Sequence, residues 1–159
     1  MPQSPHPFKS GGKSARTRTI SHGCNKESIV MSVLVPVSWG EVIDKITILE
    51  IKAERLSDAG KLANVTRELD ELVSVREREF PSHADLAKLA AELKAINEKL
   101  WVVEDDLRDL ERAKDFGPRF VELARAVYYT NDERAAVKRK VNDLLGSTLV
   151  EEKSYAPYA

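Results

Sequence analysis

The chain has 159 residues, 42% of them hydrophobic and 32% charged, which suits one domain with a buried core that needs no covalent staples. Its single cysteine, Cys24, excludes an internal disulfide, and no apolar run approaches the roughly 18 residues of a membrane span, so a reducing cytoplasm is the expected compartment. The net charge of -1 divides into +4 over residues 1 to 30 and -5 over the rest, a sign that repels nucleic acid and removes it from the expected partners of the domain.

Residues 1–30 mix Pro2, Pro5, Pro7, Gly11, Gly12 and Gly23 with serines and scattered bases, and they lack the apolar periodicity that could offset the entropy of ordering. They read as a disordered arm or an over-extended start. The apolar pattern begins directly after Met31, which is taken as the natural first residue of one helical domain over 31–159. A short extended segment is expected near 32–37, with Pro36 limiting it to an edge strand at most. Ser38-Trp39-Gly40-Glu41 then forms a capping box, with Val37 and Val42 as its hydrophobic staple, and starts a helix over about 39–57. Val42, Ile46, Leu49, Ala53 and Leu56 make one apolar stripe, while Asp44, Ile48, Ile51 and Arg55 make a second on nearly the opposite side. A helix apolar on two sides is packed on two sides.

Ser57-Asp58-Ala59-Gly60 makes a turn into a second helix carrying Leu62, Val65, Leu69, Leu72 and Val73, which pairs with the first as a hairpin and ends before Phe80-Pro81. Residues 82–85 give another capping signal. From there Leu86, Leu89, Leu93, Ile96, Leu100, Val103, Leu107 and Leu110 keep 3,4 spacing over about four heptads, and predict a long helix over about 83–115. Phe116-Gly117-Pro118 ends it. A fourth helix turns Phe120, Ala124 and Val127 inward, and Thr130-Asn131-Asp132-Glu133 launches a fifth with Val137, Val141 and Leu144, unless the two are one kinked helix. The fold expected is all-α, an antiparallel bundle or set of hairpins of about five helices with one long heptad-patterned member.

Chemistry is constrained by what is missing. Only His83 lies in the domain, and no domain cysteine, GxGxxG, P-loop or HExxH occurs, so no cofactor, no metal and no catalytic residue is assigned. The acid-rich run from Glu104 to Arg112 reads as helical ion pairs at three- and four-residue spacing in preference to a Mg²⁺ site. The corner Arg112-Ala113-Lys114-Asp115-Phe116-Gly117-Pro118-Arg119 gathers three bases at a helix start, where free N–H groups can receive a phosphate or carboxylate. Asp44 and Arg55, one turn beyond each end of Ile48 and Ile51, bound either a ligand groove or an interface. Asp44, Lys45, Arg55, Arg112, Lys114 and Arg119 are therefore the candidate ligand-binding residues.

The stretches PVSWGEVIDKITILEIKAER, residues 36–55, and ERAKDFGPRFVELARAVYYTNDERAAVKRKVNDLLGSTLVEEKSY, residues 111–155, resemble domain-of-unknown-function family 6165, a set of small bacterial proteins. The resemblance spans about 33–155, assigns no activity, and implies a link to cell-surface polysaccharide metabolism. Residues 43–55 are also similar to the first helix of all-helical chorismate mutases, which surround an anionic substrate with Arg, Lys and Glu, a pattern that hairpin helices share. Two functions are expected from these observations. The first is a helical interaction or adaptor protein that associates with itself or a protein partner. The second is a small helical enzyme or binding protein for an anionic, phosphorylated or sugar-nucleotide, metabolite.

Overall fold

In the computed structural model, residues 33–81, 83–149, 151, 152 and 154 are described. The arm over 1–30, the start at Met31, Ser32 of the expected extended segment and Ser82 of the second capping signal lie outside them. Among the described residues there are four helices and no strand: α1 (Trp39–Arg55), α2 (Ala59–Glu79), α3 (Ala84–Ala113) and α4 (Pro118–Leu145). The fourth and fifth expected helices are one, because Thr130 is buried inside α4 and starts nothing. Residues 33–37 are exposed and irregular, so the extended segment is not an edge strand among the described residues.

Each helix start is set by a side chain or a fixed backbone angle. Ser38 caps α1 by accepting from the Glu41 N–H, but the reciprocal half of the capping box is missing, since the Glu41 carboxylate reaches Lys138 at 2.5 Å instead. Asp58 caps α2 through the Lys61 N–H at 2.8 Å, which places Gly60 inside the first turn. His83 is itself the cap of α3, its Nδ1 accepting from the Leu86 N–H at 3.3 Å. Pro118 opens α4 at its first position, where a missing N–H costs nothing. Lys114 ends α3 with φ 57°, an uncommon left-handed turn for a side chain that has a Cβ, while Gly146 ends α4 with φ 65°.

The centre of the structure is α1, which packs against α2, α3 and α4, as its two stripes require. Ile43, Ile46, Leu49 and Ile51 are buried, and Ile43 and Ile46 join Leu86, Leu93, Val137 and Val141 in the main apolar cluster. In contrast, α2 lies against α1 without burying any of its own residues. Trp39 meets Phe80 edge-on at 4.8 Å, which pins the far end of α2 to the start of α1. The longest contact is between α3 and α4, antiparallel helices of 30 and 28 residues that are tied along their length by Lys140–Glu92 and Lys99–Glu133. No residue between Val103 and Leu123 is buried, so among the described residues nothing closes over this end of the hairpin.

The heptad reading of α3 is not upheld. Leu86, Leu93, Leu100 and Val103 are buried, but Leu89, Ile96, Leu107 and Leu110 are only half-buried, and the remaining buried position is Asn97. A helix that meets α1 on one side and α4 on another buries a band wider than a single coiled-coil seam. On α4, Val137 and Val141 point inward as expected, while Leu144 is exposed and Leu145 packs on the core in its place. Phe120, Ala124 and Val127 are half-buried, and Leu123 is the buried residue of that stretch.

Candidate functional site

The polar content of the core is concentrated where α1 faces α4. Asp44, 4% exposed in its side chain, receives the Arg134 Nε at 2.8 Å and a second bond from Arg134 Nη2. Asn97 of α3 donates through Nδ2 to the same Asp44 oxygen at 2.9 Å and to Thr47 Oγ1 at 3.0 Å, and Thr47 in turn donates to the Asp44 carbonyl at 2.8 Å. Arg134 Nη1 reaches Asn131 Oδ1 at 3.3 Å. The hydrogen bond to Asp44 holds the Arg134 guanidinium above its ordinary pKa against the opposing effect of burial.

One turn along, Lys138 is nearly buried. Burial opposes its charge, but hydrogen bonds to Glu151 at 2.6 Å and Glu41 at 2.5 Å outweigh that penalty and raise its pKa. A turn further, Asn142 Oδ1 accepts from the Gly40 N–H at 2.6 Å and so occupies one of the free donors of the α1 N-terminus. A Cβ on Gly40 would stand 2.6 Å from the Lys138 carbonyl oxygen, so glycine is required for this approach. Arg134, Lys138 and Asn142 thus form a ladder at four-residue spacing on α4. Asp44, Glu41 and Gly40 answer it in reverse order on α1, as antiparallel helices demand. Because Arg134 and Lys138 are held in their charged forms, they can bind and orient but cannot serve as bases or nucleophiles here.

Beside this seam lies an open groove of about 350 Å³, lined by Ile48 and Ile51 of α1, Asn97, Trp101 and Arg108 of α3, and Arg134. Arg55 stands over the Trp101 ring at 5.4 Å. Arg108 is engaged by Glu104 at 2.9 Å and Asp105 at 3.8 Å. On the other side of α4, Arg125 donates to the hydroxyls of Tyr128 and Tyr129, each at 3.2 Å, and the two rings lie 4.7 Å apart. These bonds, Tyr129 first, raise the Arg125 pKa, and the same contact lowers that of Tyr129.

The structure distributes the six residues chosen from sequence. Asp44 is in the seam and Arg55 is at the rim of the groove. Lys45 is exposed and paired with Glu68 at 3.0 Å. Arg112, Lys114 and Arg119 share the α3–α4 corner, each with its own acid: Arg112 with Asp109, Lys114 with Glu111, and Arg119 with Glu122 and Asp106. No hydrogen bond or ion pair joins any two of the six. The sequence reading missed Arg134, Lys138, Asn97 and Asn142. Their signal was present as a polar residue inside the apolar row of α3 and as the 134, 138, 142 spacing opposite 44, 41, 40. Among the described residues, no group of three or more His, Cys, Asp or Glu is placed to hold a metal, and no helix is long and apolar enough to cross a membrane.

No curated protein and no solved structure matches the chain. A family model does match, over residues 33–158, and it takes in all four helices together with the seam and the groove. The chain belongs to the family of unknown function DUF6165.

Proposed function

We propose that the chain is a helical interaction module that associates with a second copy of itself through the outward side of α4, with no chemistry at the polar seam. The observation that carries this reading is the cluster of Arg125, Tyr128 and Tyr129, exposed on the side of α4 opposite Arg134 and the polar seam. Tyr and Arg are the residue types that anchor interfaces. A two-fold interface must be complementary to itself, and a patch that holds a guanidinium beside two aromatic faces meets that condition, since each Arg125 can lie on the tyrosines of the other copy. Val121, 52% exposed and one turn before Arg125 on the same side, extends the patch. The cytoplasm is the compartment this reading assumes, and cell-surface polysaccharide metabolism, implied by the resemblance, is the setting in which such an adaptor would work.

Sedimentation tests it. The wild-type chain should sediment as a dimer at about 100 μM, where a specific interface of ordinary size is occupied. Arg125→Glu should give a monomer with unchanged helical circular dichroism. A wild-type monomer at that concentration refutes the reading. A second reading, a binding protein for a small anionic metabolite, rests on the groove beside Arg134 and not on the corner at Arg112–Arg119.

A further inference from the structure

The groove between α1, α3 and α4 holds two polar groups whose capacity the fold does not use. Asn97 is only 6% exposed, and its Nδ2 must face Asp44 and Thr47, because a carboxylate oxygen accepts and cannot donate. That fixes the opposite atom, Oδ1, as an acceptor without a hydrogen-bond partner on a residue that lines the groove. Arg134 carries five N–H bonds. Asp44 takes two and Asn131 takes one, and the side chain, 27% exposed, keeps the others available at the groove. Arg134 Nε and Asn97 Nδ2 bond the same oxygen of Asp44, so the two side chains stand next to each other and one small molecule can touch both.

A molecule that satisfies both must present an acceptor to Arg134 and, one or two atoms away, a donor to Asn97. The apolar wall of Ile48, Ile51 and the Trp101 ring asks for an apolar continuation from that polar head. Charge narrows the class further. Arg134, Arg108 and the rim residue Arg55 face Asp44, Glu104 and Asp105, so the surroundings are balanced in charge and offer a dianion no advantage. We infer that the groove binds a small monoanionic 2-hydroxycarboxylate with an apolar or aromatic tail. Its carboxylate lies on Arg134, its hydroxyl donates to Asn97 Oδ1, and its tail lies against Trp101. The inference rests on the second reading above, that of a metabolite-binding protein, and gives it a ligand class.

Three anions of one size separate the two levels of the claim: mandelate, phenylacetate, which lacks the hydroxyl, and phenyl phosphate, which is a dianion. Each is titrated into the full chain while NMR follows the Asn97 side-chain amide and the Arg134 Nε–H. Mandelate should move both signals saturably by about 50 mM, well above the millimolar Kd expected of so small a ligand, and phenylacetate should bind about tenfold more weakly for want of the hydrogen bond to Asn97 Oδ1. Trp101→Ala should weaken mandelate by about tenfold with unchanged helical circular dichroism. Equal binding of mandelate and phenylacetate, tighter binding of phenyl phosphate, or an unaltered Trp101→Ala variant would each overturn the hydroxycarboxylate assignment while leaving a metabolite groove. Silence of both signals toward all three anions overturns the groove reading itself.

Discussion

Replacing Arg134 with leucine is the most direct perturbation of the seam, because it leaves the Asp44 carboxylate buried at 4% exposure with only Asn97 to answer it. Removing one partner of a buried ion pair costs about 3–5 kcal/mol. Arg134 itself is 27% exposed, which puts the expected loss at the lower end, about 3 kcal/mol. Asp44→Leu should cost less, about 1–2 kcal/mol, since a partly exposed guanidinium can turn toward water whereas the carboxylate cannot. The double variant Asp44→Leu/Arg134→Leu removes both charges and should return to within about 1 kcal/mol of the wild type, a coupling of at least about 3 kcal/mol. Urea unfolding followed by far-UV circular dichroism reads these values. With a slope near 1.5 kcal/mol per molar, Arg134→Leu should lower the midpoint by about 2 M. A loss below about 1 kcal/mol for that variant, or a coupling below about 0.5 kcal/mol, would show that the pair does not hold the seam.

The same geometry fixes other outcomes. Gly40→Ala should lower stability by about 2 kcal/mol although alanine favours helix, because its Cβ would sit 2.6 Å from the Lys138 carbonyl; an increase in the melting temperature would refute the close approach. Thr130→Val should raise stability by about 1 kcal/mol, since Thr130 Oγ1 is buried without a hydrogen-bond partner, and a loss on chemical denaturation would show that the hydroxyl is satisfied. The folded-state pKa of Lys138 lies above the ordinary value of 10.5, so its contribution is complete below that pH and is lost as pH rises through the folded value. Lys138→Met should therefore shallow the fall in stability above pH 10.5 that the wild type shows, and parallel alkaline limbs for the two proteins would contradict this.

Much of the fold follows from local signals. The Ser38 cap, the Phe80-Pro81 stop, the Pro118 start and the two-sided stripe on α1 each act through neighbouring residues, and each is realised. Thr130-Asn131-Asp132-Glu133 misled because a capping box stabilises a helix start only if the chain needs one there. Thr130 falls on the buried side of α4, where apolar packing on both sides of it carries the helix through. The site was less legible for a related reason. Asp44 was visible as an acid beside an apolar stripe, but its partner lies 90 residues away and depends on the register of α1 against α4. Asn97 stands four residues after Leu93 and three before Leu100, but the apolar row runs through Ile96 instead, and Asn97 is buried because α3 packs against α1 as well as α4.

Arg125 and Arg134 make the two proposals stand or fall separately. At 100° per residue, Arg125 and Arg134, nine positions apart, project from opposite sides of α4, so the tyrosine patch looks away from the groove. A second copy docked on Tyr128 and Tyr129 would leave the groove beside Trp101 and Asn97 uncovered, and a ligand on Arg134 would not meet the partner. Coupling between the two surfaces would have to pass through α4 itself, which the seam fixes at three successive turns by Asp44, Glu41 and Gly40. A helix held that firmly has no second arrangement for a ligand to select, and without a difference in affinity between two states no equilibrium can be shifted. Saturating mandelate should therefore leave the sedimentation of the chain unchanged, and Arg125→Glu should leave mandelate binding unchanged. A ligand-dependent change in association would require that α4 move, and would locate the error in the rigidity assigned to the seam.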